Sequence, residues 1–161
     1  MLLKILKYPN PLLRKKCREI NEITPEIKRL ALDMIETMNE SKGVGLAAPQ
    51  VGELKRLIII QTGDNPLILV NPKILNKTKE TETAEEGCLC LPDLFLNIKR
   101  AKGAEVEALN ENGEVVRIND AGMAARILQH EIDHLDGILF IDKIGFWEKL
   151  KLKRKLNKTA N

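Results

Sequence analysis

The sequence predicts an α+β domain in which antiparallel strands pack around a central helix, flanked by an N-terminal amphipathic helix and a C-terminal helix. Apolar residues recur at helical spacing before and after the middle of the chain, and several short strand-like runs lie between these two stretches. A chain of 161 residues is long enough for one well-packed core and too short to suggest two. We therefore expect a single domain over residues 1–161.

The first predicted helix spans residues 25–41. Thr24 is a suitable N-cap, and Pro25 suits the first helical position, where its missing N–H costs nothing. The glycine pair Gly43 and Gly45 should end the helix. The apolar residues that recur at helical spacing are Ile27, Leu30, Ala31, Met34, Ile35 and Met38.

Short apolar runs follow and predict the strands. The run over 104–118 reads as a hairpin that turns at Asn112 and Gly113, because Asn-Gly favours the tight turns that join antiparallel strands. The predicted strands are 56–61, 66–75, about 78–85, 98–109 and 115–118.

Two further helices complete the prediction. The central helix should have Asp120 as its N-cap, cover residues 121–136 and stop at Gly137. A last helix is predicted over about 146–157, and from Phe146 onward the chain carries six Lys or Arg and a single Glu.

The bulk composition excludes several classes of protein. A net charge of +3 is too small to indicate a DNA-binding protein. No uncharged apolar run approaches the roughly 18 residues that cross a bilayer, so we expect a soluble protein without a membrane partner. Three cysteines, an odd number, do not suit a disulfide framework and indicate a reducing, intracellular compartment. No signal or transit peptide is recognisable, which favours a bacterial cytoplasm.

The strongest chemical signal is the run His130-Glu131-Ile132-Asp133-His134. On a helix, residues four apart share a face, so both imidazoles can bind one metal ion. Glu131 lies beside them, placed to reach a water molecule at the ion rather than to bind it. Met123 and Ile127 fall on the same stripe, so the ion should face an apolar pocket. The alternative is two histidines that are spaced by four through coincidence.

A third ligand must be a carboxylate or a thiolate, because the chain has only two histidines. Cys88 and Cys90 are candidates, and spacing alone does not choose between them, since alternate residues on a strand share a face. The two thiols could also be ordinary buried side chains. Three protein ligands leave one position open, as in catalytic rather than structural sites.

The glycine segment at 43–50, GVGLAAPQ, fits no nucleotide-binding motif in its context, because it follows a helix and leads into a strand. Its glycines instead permit close backbone approach at an extended edge, which could accept a peptide by strand addition. Gln50 could supply an amide N–H donor there.

Three segments in order resemble the peptide deformylase family: GVGLAAPQ at 43–50, EGCLC at 86–90 and QHEIDHLDG at 129–137. The family motifs are G-x-G-x-A-A-x-Q, E-G-C-x-S and Q-H-E-x-D-H-L-x-G. Their order, spacing and the total length are all similar, so the resemblance covers essentially the whole chain. The one departure is Cys90, which stands where the family usually has Ser.

The resemblance implies roles for the site residues. The cysteine that follows Glu-Gly, Cys88, would be the third metal ligand beside His130 and His134. Gln50 and the backbone N–H of Leu89 would stabilise the developing oxyanion.

For the substrate, the resemblance implies that Gly45 and its neighbours pair with the peptide backbone. From their apolar character and placement, Val44, Leu89, Met123 and Ile127 are candidates for the pocket of the methionine side chain. We therefore expect a substrate-binding set of Gly43, Val44, Gly45, Met123 and Ile127. Arg126, one turn before His130, should lie at the rim of the pocket.

The implied reaction is removal of the formyl group from the N-terminal formyl-methionine of new polypeptides, with release of formate. Glu131 would take a proton from water and give it to the leaving nitrogen. Ferrous iron is the metal that the family commonly uses, and zinc, nickel or cobalt can occupy the same site. The basic C-terminal helix could contact ribosomal RNA; otherwise it is a solvated helix that packs Leu150 and Leu156 on the domain.

Two other functions remain as alternatives. H-E-x-x-H also occurs in metalloproteases that cleave internal peptide bonds, although their third ligand is usually His or Glu. A non-catalytic ribosome-binding relative could retain a vestigial metal site, but the intact Glu131 and Gln50 argue against lost catalysis.

Overall fold

The structure, a computed structural model, describes residues 1–159 and the side chains of residues 1–156. The predicted α+β class is confirmed, with a helix at each end of the fold and a third helix packed on the strands. The helices are α1 (Pro25–Glu40), α2 (Met123–Leu135) and α3 (Phe146–Thr159), with short 3-10 turns at Pro11–Arg14, Ala48–Val51 and Phe140–Asp142. The strands are β1 (Gly45–Ala47), β2 (Leu57–Gln61), β3 (Pro66–Lys77), β4 (Thr81–Cys88), β5 (Leu91–Ala101), β6 (Gly103–Leu109) and β7 (Val115–Ala121).

All strand pairs are antiparallel, as predicted, but they form two sheets. One sheet has the order β1-β2-β3-β6-β7, and β4 pairs with β5 in a separate two-stranded sheet. Strand β1 lies at an edge of the larger sheet and pairs only with β2, Gly45 lying opposite Ile60. No other strand among the described residues pairs with its outer side, so that side is open to a further strand.

Strand β2 explains where the core lies. Its residues 57–60 are all fully buried, because the strand is covered on both faces. Ile58 and Ile60 pack with residues of α2, while Leu57 and Ile59 pack with residues of α1. The larger sheet thus lies between α1 and α2.

The predicted strand over 98–109 is wrong in one respect, because the chain changes sheets within it. Strand β5 ends at Ala101 and β6 begins at Gly103. Between them, the Lys102 N–H donates to Glu80 O. Alternation of apolar residues reports which face of a strand is buried and does not report its partner, so this break left no signal in the pattern. Strand β4 also extends three residues further than predicted, to Cys88.

The predicted hairpin is present as β6 and β7, with a five-residue connection from Asn110 to Glu114. Gly113 has a φ of +82°, which glycine adopts without strain.

The prediction of Asp120 as an N-cap is wrong. Asp120 is paired with Ala104 in the sheet, and Gly122 is the N-cap of α2. An Asx residue suits both a cap and a strand end, so local sequence did not distinguish them.

Helix α2 is the central element, in contact with β1, β2, β3, β5, β6 and β7. It ends before Gly137, as predicted, and Gly137 has a φ of +72°. A Cβ at this position would lie 2.4 Å from Arg14 O, so the close approach also requires glycine.

Helix α3 packs through Leu156, as predicted, and through Leu152 in place of Leu150. Leu152 is buried and Leu156 is half-buried against a third apolar cluster that includes Phe140 and Ile141. Leu150 is exposed, so its predicted packing is wrong. Within residues 1–159, no helix combines the length and apolar character that crossing a membrane requires.

Candidate metal centre and active site

Three potential metal ligands meet beside α2. The ligand atoms offered by Cys88, His130 and His134 all lie within 4.8 Å of one another. The sulfur of Cys88 is 3.3 Å from Nε2 of His134. In tetrahedral coordination, sulfur and nitrogen ligands at their usual bond lengths stand about 3.5 Å apart. The three atoms can therefore surround one small ion.

Local and long-range structure place these ligands by different means. His130 and His134 are one helical turn apart on α2, and their ring centroids are 5.0 Å apart. Cys88 is the last residue of β4, and a two-residue turn of Leu89 and Cys90 leads into β5. The strand register shifts between Gly87 and Cys88, whose partners on β5 are Phe95 and Leu91, so regular pairing ends where the Cys88 sulfur meets His134.

A buried ion-pair network joins the helix to the smaller sheet. Glu86 accepts two hydrogen bonds from Arg100, with distances of 2.5 Å to Nε and 3.1 Å to Nη2. Arg100 also donates to Asp133 on α2 at 2.8 Å. Nδ1 of His130 lies 3.4 Å from Glu86, so its other ring nitrogen remains for the metal position. Sequence reasoning did not find Arg100, because it lies in a strand with other charged residues. Its contact with Glu86 depends on how β4 and β5 pair.

The expectation that Arg126 lies at the rim of the pocket is wrong. Arg126 is buried, with 6% of its surface exposed. It donates to the backbone carbonyls of Ile98 and Glu82, each at 2.8 Å, and lies 3.3 Å from Glu86. A guanidinium has five N–H donors in a plane, which suits it to link both strands of the smaller sheet to the helix.

These charges set the protonation of the two histidines. Although burial opposes ionisation, hydrogen bonds from His130 and Arg100 lower the pKa of Glu86 to about 2. Burial also acts to lower the pKa of His130, but its contact with the Glu86 carboxylate prevails and raises it. Burial holds the pKa of His134 well below its usual value, so this ring is neutral near pH 7. A neutral imidazole is the form that binds metals.

The site fits a divalent ion of the borderline-soft type. One sulfur and two imidazole nitrogens are ligands that zinc and the later first-row metals accept. Contact with the Cys90 sulfur and burial raise the pKa of the Cys88 thiol, an effect that a bound cation would reverse. Oε2 of Glu131 and Nδ1 of His134 are buried and have no hydrogen-bond partner among the described residues. Unpaired buried polar atoms are costly, which indicates that further groups complete the site.

Glu131 lies against strand β1. It is 5% exposed, and burial raises its pKa to about 7, although the charges of His130 and Arg100 act in the opposite direction. A Cβ at Gly45 would lie only 2.3 Å from Oε1 of Glu131. Glycine at position 45 therefore makes room for the carboxylate, a role that the motif alone did not indicate.

Gln50 is fixed at both ends of its amide. Its Oε1 accepts a hydrogen bond from the Ala47 N–H at 2.7 Å. Its Nε2 lies 3.2 Å from the sulfur of Cys90 and 3.6 Å from that of Cys88. The amide is thus oriented with its donor toward the sulfur atoms.

A cavity of about 570 Å³ opens at these groups. Of the substrate residues expected from sequence, Met123 is 68% exposed and Ile127 packs in the core with Ile58 and Ile60, and neither lines the cavity. The expected site residues that do line it are Gly43, Val44, Gly45, Gln50, Cys88, Leu89, His130 and Glu131.

The N-terminal segment also contributes to the cavity, and no motif in the sequence indicated this. Lys7 and Ile5 line the cavity, and Nζ of Lys7 donates to Leu89 O at 2.7 Å. The Tyr8 N–H donates to Cys90 O at 2.9 Å. Both contacts hold the turn that follows Cys88.

Comparison with known proteins agrees with this geometry. The sequence profile described as polypeptide deformylase matches residues 2–149. A peptide deformylase from Desulforudis audaxviator is 47% identical over 141 residues, which are 87% of this chain and 92% of the relative. One from Thermodesulfovibrio yellowstonii is 45% identical and covers 95% of this chain and 99% of the relative.

Solved structures have the same fold. The crystal structure of peptide deformylase from Thermotoga maritima matches with a TM-score of 0.88 and 43% identity over 90% of this chain and 99% of that one. A peptide deformylase from Synechococcus elongatus, in complex with actinonin, matches with a TM-score of 0.91 and 37% identity over 98% of this chain and 86% of that one. The chain therefore belongs to the polypeptide deformylase family.

Proposed function

We propose that this protein removes the formyl group from the N-terminal formyl-methionine of newly made polypeptides and releases formate. Membership of the deformylase family supports this reaction. The single observation that carries the proposal is the meeting of Cys88, His130 and His134 beside a buried Glu131, where Cys88, His130 and Glu131 line one cavity.

The proposed metal ligands are Cys88, His130 and His134, with one divalent ion. The three-ligand arrangement supports a catalytic site, because structural zinc sites have four protein ligands. When bound, the ion would act as a Lewis acid toward the formyl carbonyl and lower the pKa of water at the site. Ferrous iron is the proposed native metal, and this choice rests on family resemblance. The donor set itself does not select iron, because it also accepts zinc, nickel or cobalt.

Glu131 is the proposed general base and acid. Its buried carboxylate has an elevated pKa, near 7, so it can both accept and return a proton near neutral pH. In the proposed sequence Glu131 takes a proton from the attacking water and then delivers it to the departing amide nitrogen. Contact with Gly45 limits the positions that the carboxylate can take.

Gln50 and the backbone N–H of Leu89 are the proposed donors to the oxygen that becomes negative during attack. Both residues line the cavity beside Cys88. The Ala47 contact holds the Gln50 amide before substrate arrives, and preorganised donors of this kind contribute about 3 kcal/mol each to the transition state.

The peptide backbone of the substrate is proposed to pair with the open edge of β1 at Gly45 and with Gly43, two residues before the strand. That edge lies beside the cavity and pairs with no other described strand. Val44 and Leu89, which line the cavity, are the proposed contacts of the methionine side chain. Met123 and Ile127 lie outside the lining, so we assign them no contact with substrate.

Formate release from a formyl-methionyl peptide, measured with metal content, tests the proposal. We expect Glu131→Ala to keep its metal and lose about 10³-fold in turnover, because a general base contributes on this scale. Cys88→Ala should lose the metal itself. Full activity in Glu131→Ala would refute the mechanism, and cleavage of internal bonds in an unformylated peptide would indicate a metalloprotease instead.

We also propose that α3 contacts the ribosome in a bacterial cytoplasm. Lys149, Lys151, Lys153 and Arg154 are exposed, while Leu152 holds the helix on the domain. An exposed cationic helix suits RNA phosphates, and such binding weakens as salt rises. Replacing Lys149, Lys151 and Lys153 by Glu should abolish cosedimentation with ribosomes at low salt and preserve formate release from a short peptide. Unchanged cosedimentation would exclude this surface.

A further inference from the structure

Two cysteines with sulfur atoms that almost touch lie at the end of β4 and in the turn that follows it. The sulfurs of Cys88 and Cys90 are 3.3 Å apart, and a disulfide requires about 2.0 Å, so the two atoms must approach by about 1.3 Å. Cys88 is the last residue of β4, and Cys90 is the second residue of the two-residue turn.

The two thiols differ in access. Cys88 lines the cavity, so a small solute can reach its sulfur. Cys90 is 1% exposed, and its sulfur lies against the Cys88 sulfur and 3.2 Å from Nε2 of Gln50. An accessible thiol beside a shielded one is the arrangement in which the first meets an oxidant and the second resolves the product.

We propose that Cys88 and Cys90 are a thiol-oxidation site for small hydroperoxides, at which a reversible disulfide forms and removes Cys88 from the metal position. The oxidation is a reaction separate from deformylation, although it takes place at a proposed metal ligand, and the loss of metal rests on the proposed ligand set. The site depends on Cys90, which stands where the family motif usually has Ser.

The chemistry balances with a hydroperoxide as the two-electron oxidant. The Cys88 sulfur attacks one peroxide oxygen, the O–O bond breaks, and the products are a sulfenic acid and water, or an alcohol from an organic hydroperoxide. The Cys90 sulfur then attacks the Cys88 sulfur. The S–S bond forms as the S–O bond breaks, and the hydroxyl leaves as water with the Cys90 proton. Two thiols are oxidised, and the peroxide is reduced.

The disulfide would disable the site twice. It withdraws the only thiolate among the proposed ligands, and it takes the Cys90 sulfur away from the donor of Gln50. A dithiol reductant would reverse both changes, because sulfenic acid is captured before it reaches the irreversible sulfinic and sulfonic acids.

Zinc-loaded protein, treated with hydrogen peroxide, tests the proposal, because zinc has no redox chemistry of its own. Residues 80–99 form one tryptic peptide without internal Lys or Arg, and it contains both cysteines. We expect this peptide to lose two hydrogen masses, zinc to appear in a chromogenic chelator, and the three free thiols of the denatured protein to fall to one. Dithiothreitol and added zinc should restore all three readouts.

Two variants serve as controls. Cys90→Ser should bind zinc but gain oxygen atoms on Cys88 after peroxide, with no recovery in dithiothreitol. Cys17→Ser should show the same mass change and zinc release as wild type, with its two free thiols falling to none, since Cys17 is buried in another cluster and burial raises its pKa to about 11.

Oxygen addition without loss of hydrogen in the wild-type peptide 80–99 would overturn the proposal, as would equal reversibility in Cys90→Ser. Failure of the reduced wild type to bind zinc would count against the proposed ligand set instead. The mass change would still report disulfide formation in that case, so the two failures can be told apart.

Discussion

The two walls of the candidate metal centre are built in contrasting ways. The helix wall, α2, presents His130 and His134 through the pitch of one helix, which needs no distant contact. The turn wall, which carries Cys88, is held by the Arg100 and Arg126 contacts to Glu86 and β5, and by Lys7 and Tyr8 from the N-terminal segment. Ligand geometry on the helix is therefore local, whereas on the turn it depends on residues far apart in sequence.

The largest effect should come from breaking the tie between the walls. Arg100→Met removes the bidentate partner of Glu86 and the contact with Asp133, and leaves a buried carboxylate with poorer compensation. We expect the free energy of unfolding to fall by about 3 kcal/mol and metal affinity to fall with it, because Cys88 loses its support. Urea denaturation and metal titration measure the two effects.

The matched control is Arg117→Met, which breaks an exposed Arg–Glu pair with Glu107 on the larger sheet. Exposed pairs of this kind contribute about 0.5 kcal/mol. If Arg100→Met and Arg117→Met lower the free energy of unfolding by the same amount, the buried network does not hold the turn wall as described.

A smaller and more selective effect should come from Gly45→Ala, which acts on the helix wall. The new methyl group would meet the Glu131 carboxylate and displace it, while His130 and His134 keep their helical spacing. We expect turnover to fall about 10²-fold, as for a misplaced catalytic group, with metal content unchanged. Formate release and metal analysis on the same sample give both quantities.

Gly43→Ala provides the comparison, since its methyl group would meet the flexible end of Leu89 at 2.9 Å rather than Glu131. Loss of metal in Gly45→Ala would show that the helix wall is not independent of its neighbours.

The same contrast explains what the sequence could predict. The histidine pair and its helix follow from spacing and local apolar pattern, and the glycine stop at Gly137 was also correct. The choice between Cys88 and Cys90 needed family resemblance, because it depends on a bulge and a turn rather than on strand alternation. The structure brings Cys88 into the group with both histidines, and Cys90 lies behind it against Gln50.

The errors also have physical causes. Arg126 was expected at the rim of the pocket because it lies one turn before His130, but its side chain is buried and three hydrogen-bond partners compensate the burial. Asp120 suits a cap as well as a strand end. The break at Lys102 depends on which sheet each strand joins, and that is decided by contacts between segments distant in sequence.

The separation of the ligands along the chain has a consequence for protein turnover. On the proposed ligand set, one ion closes a loop of about forty residues between Cys88 and His130 and links the end of β4 to α2. A metal that binds only the folded form raises the free energy of unfolding in proportion to the logarithm of the free metal concentration. In a cell starved of that metal, newly made copies would open more often and become earlier targets of proteases, so metal supply would govern the abundance of the protein as well as its activity.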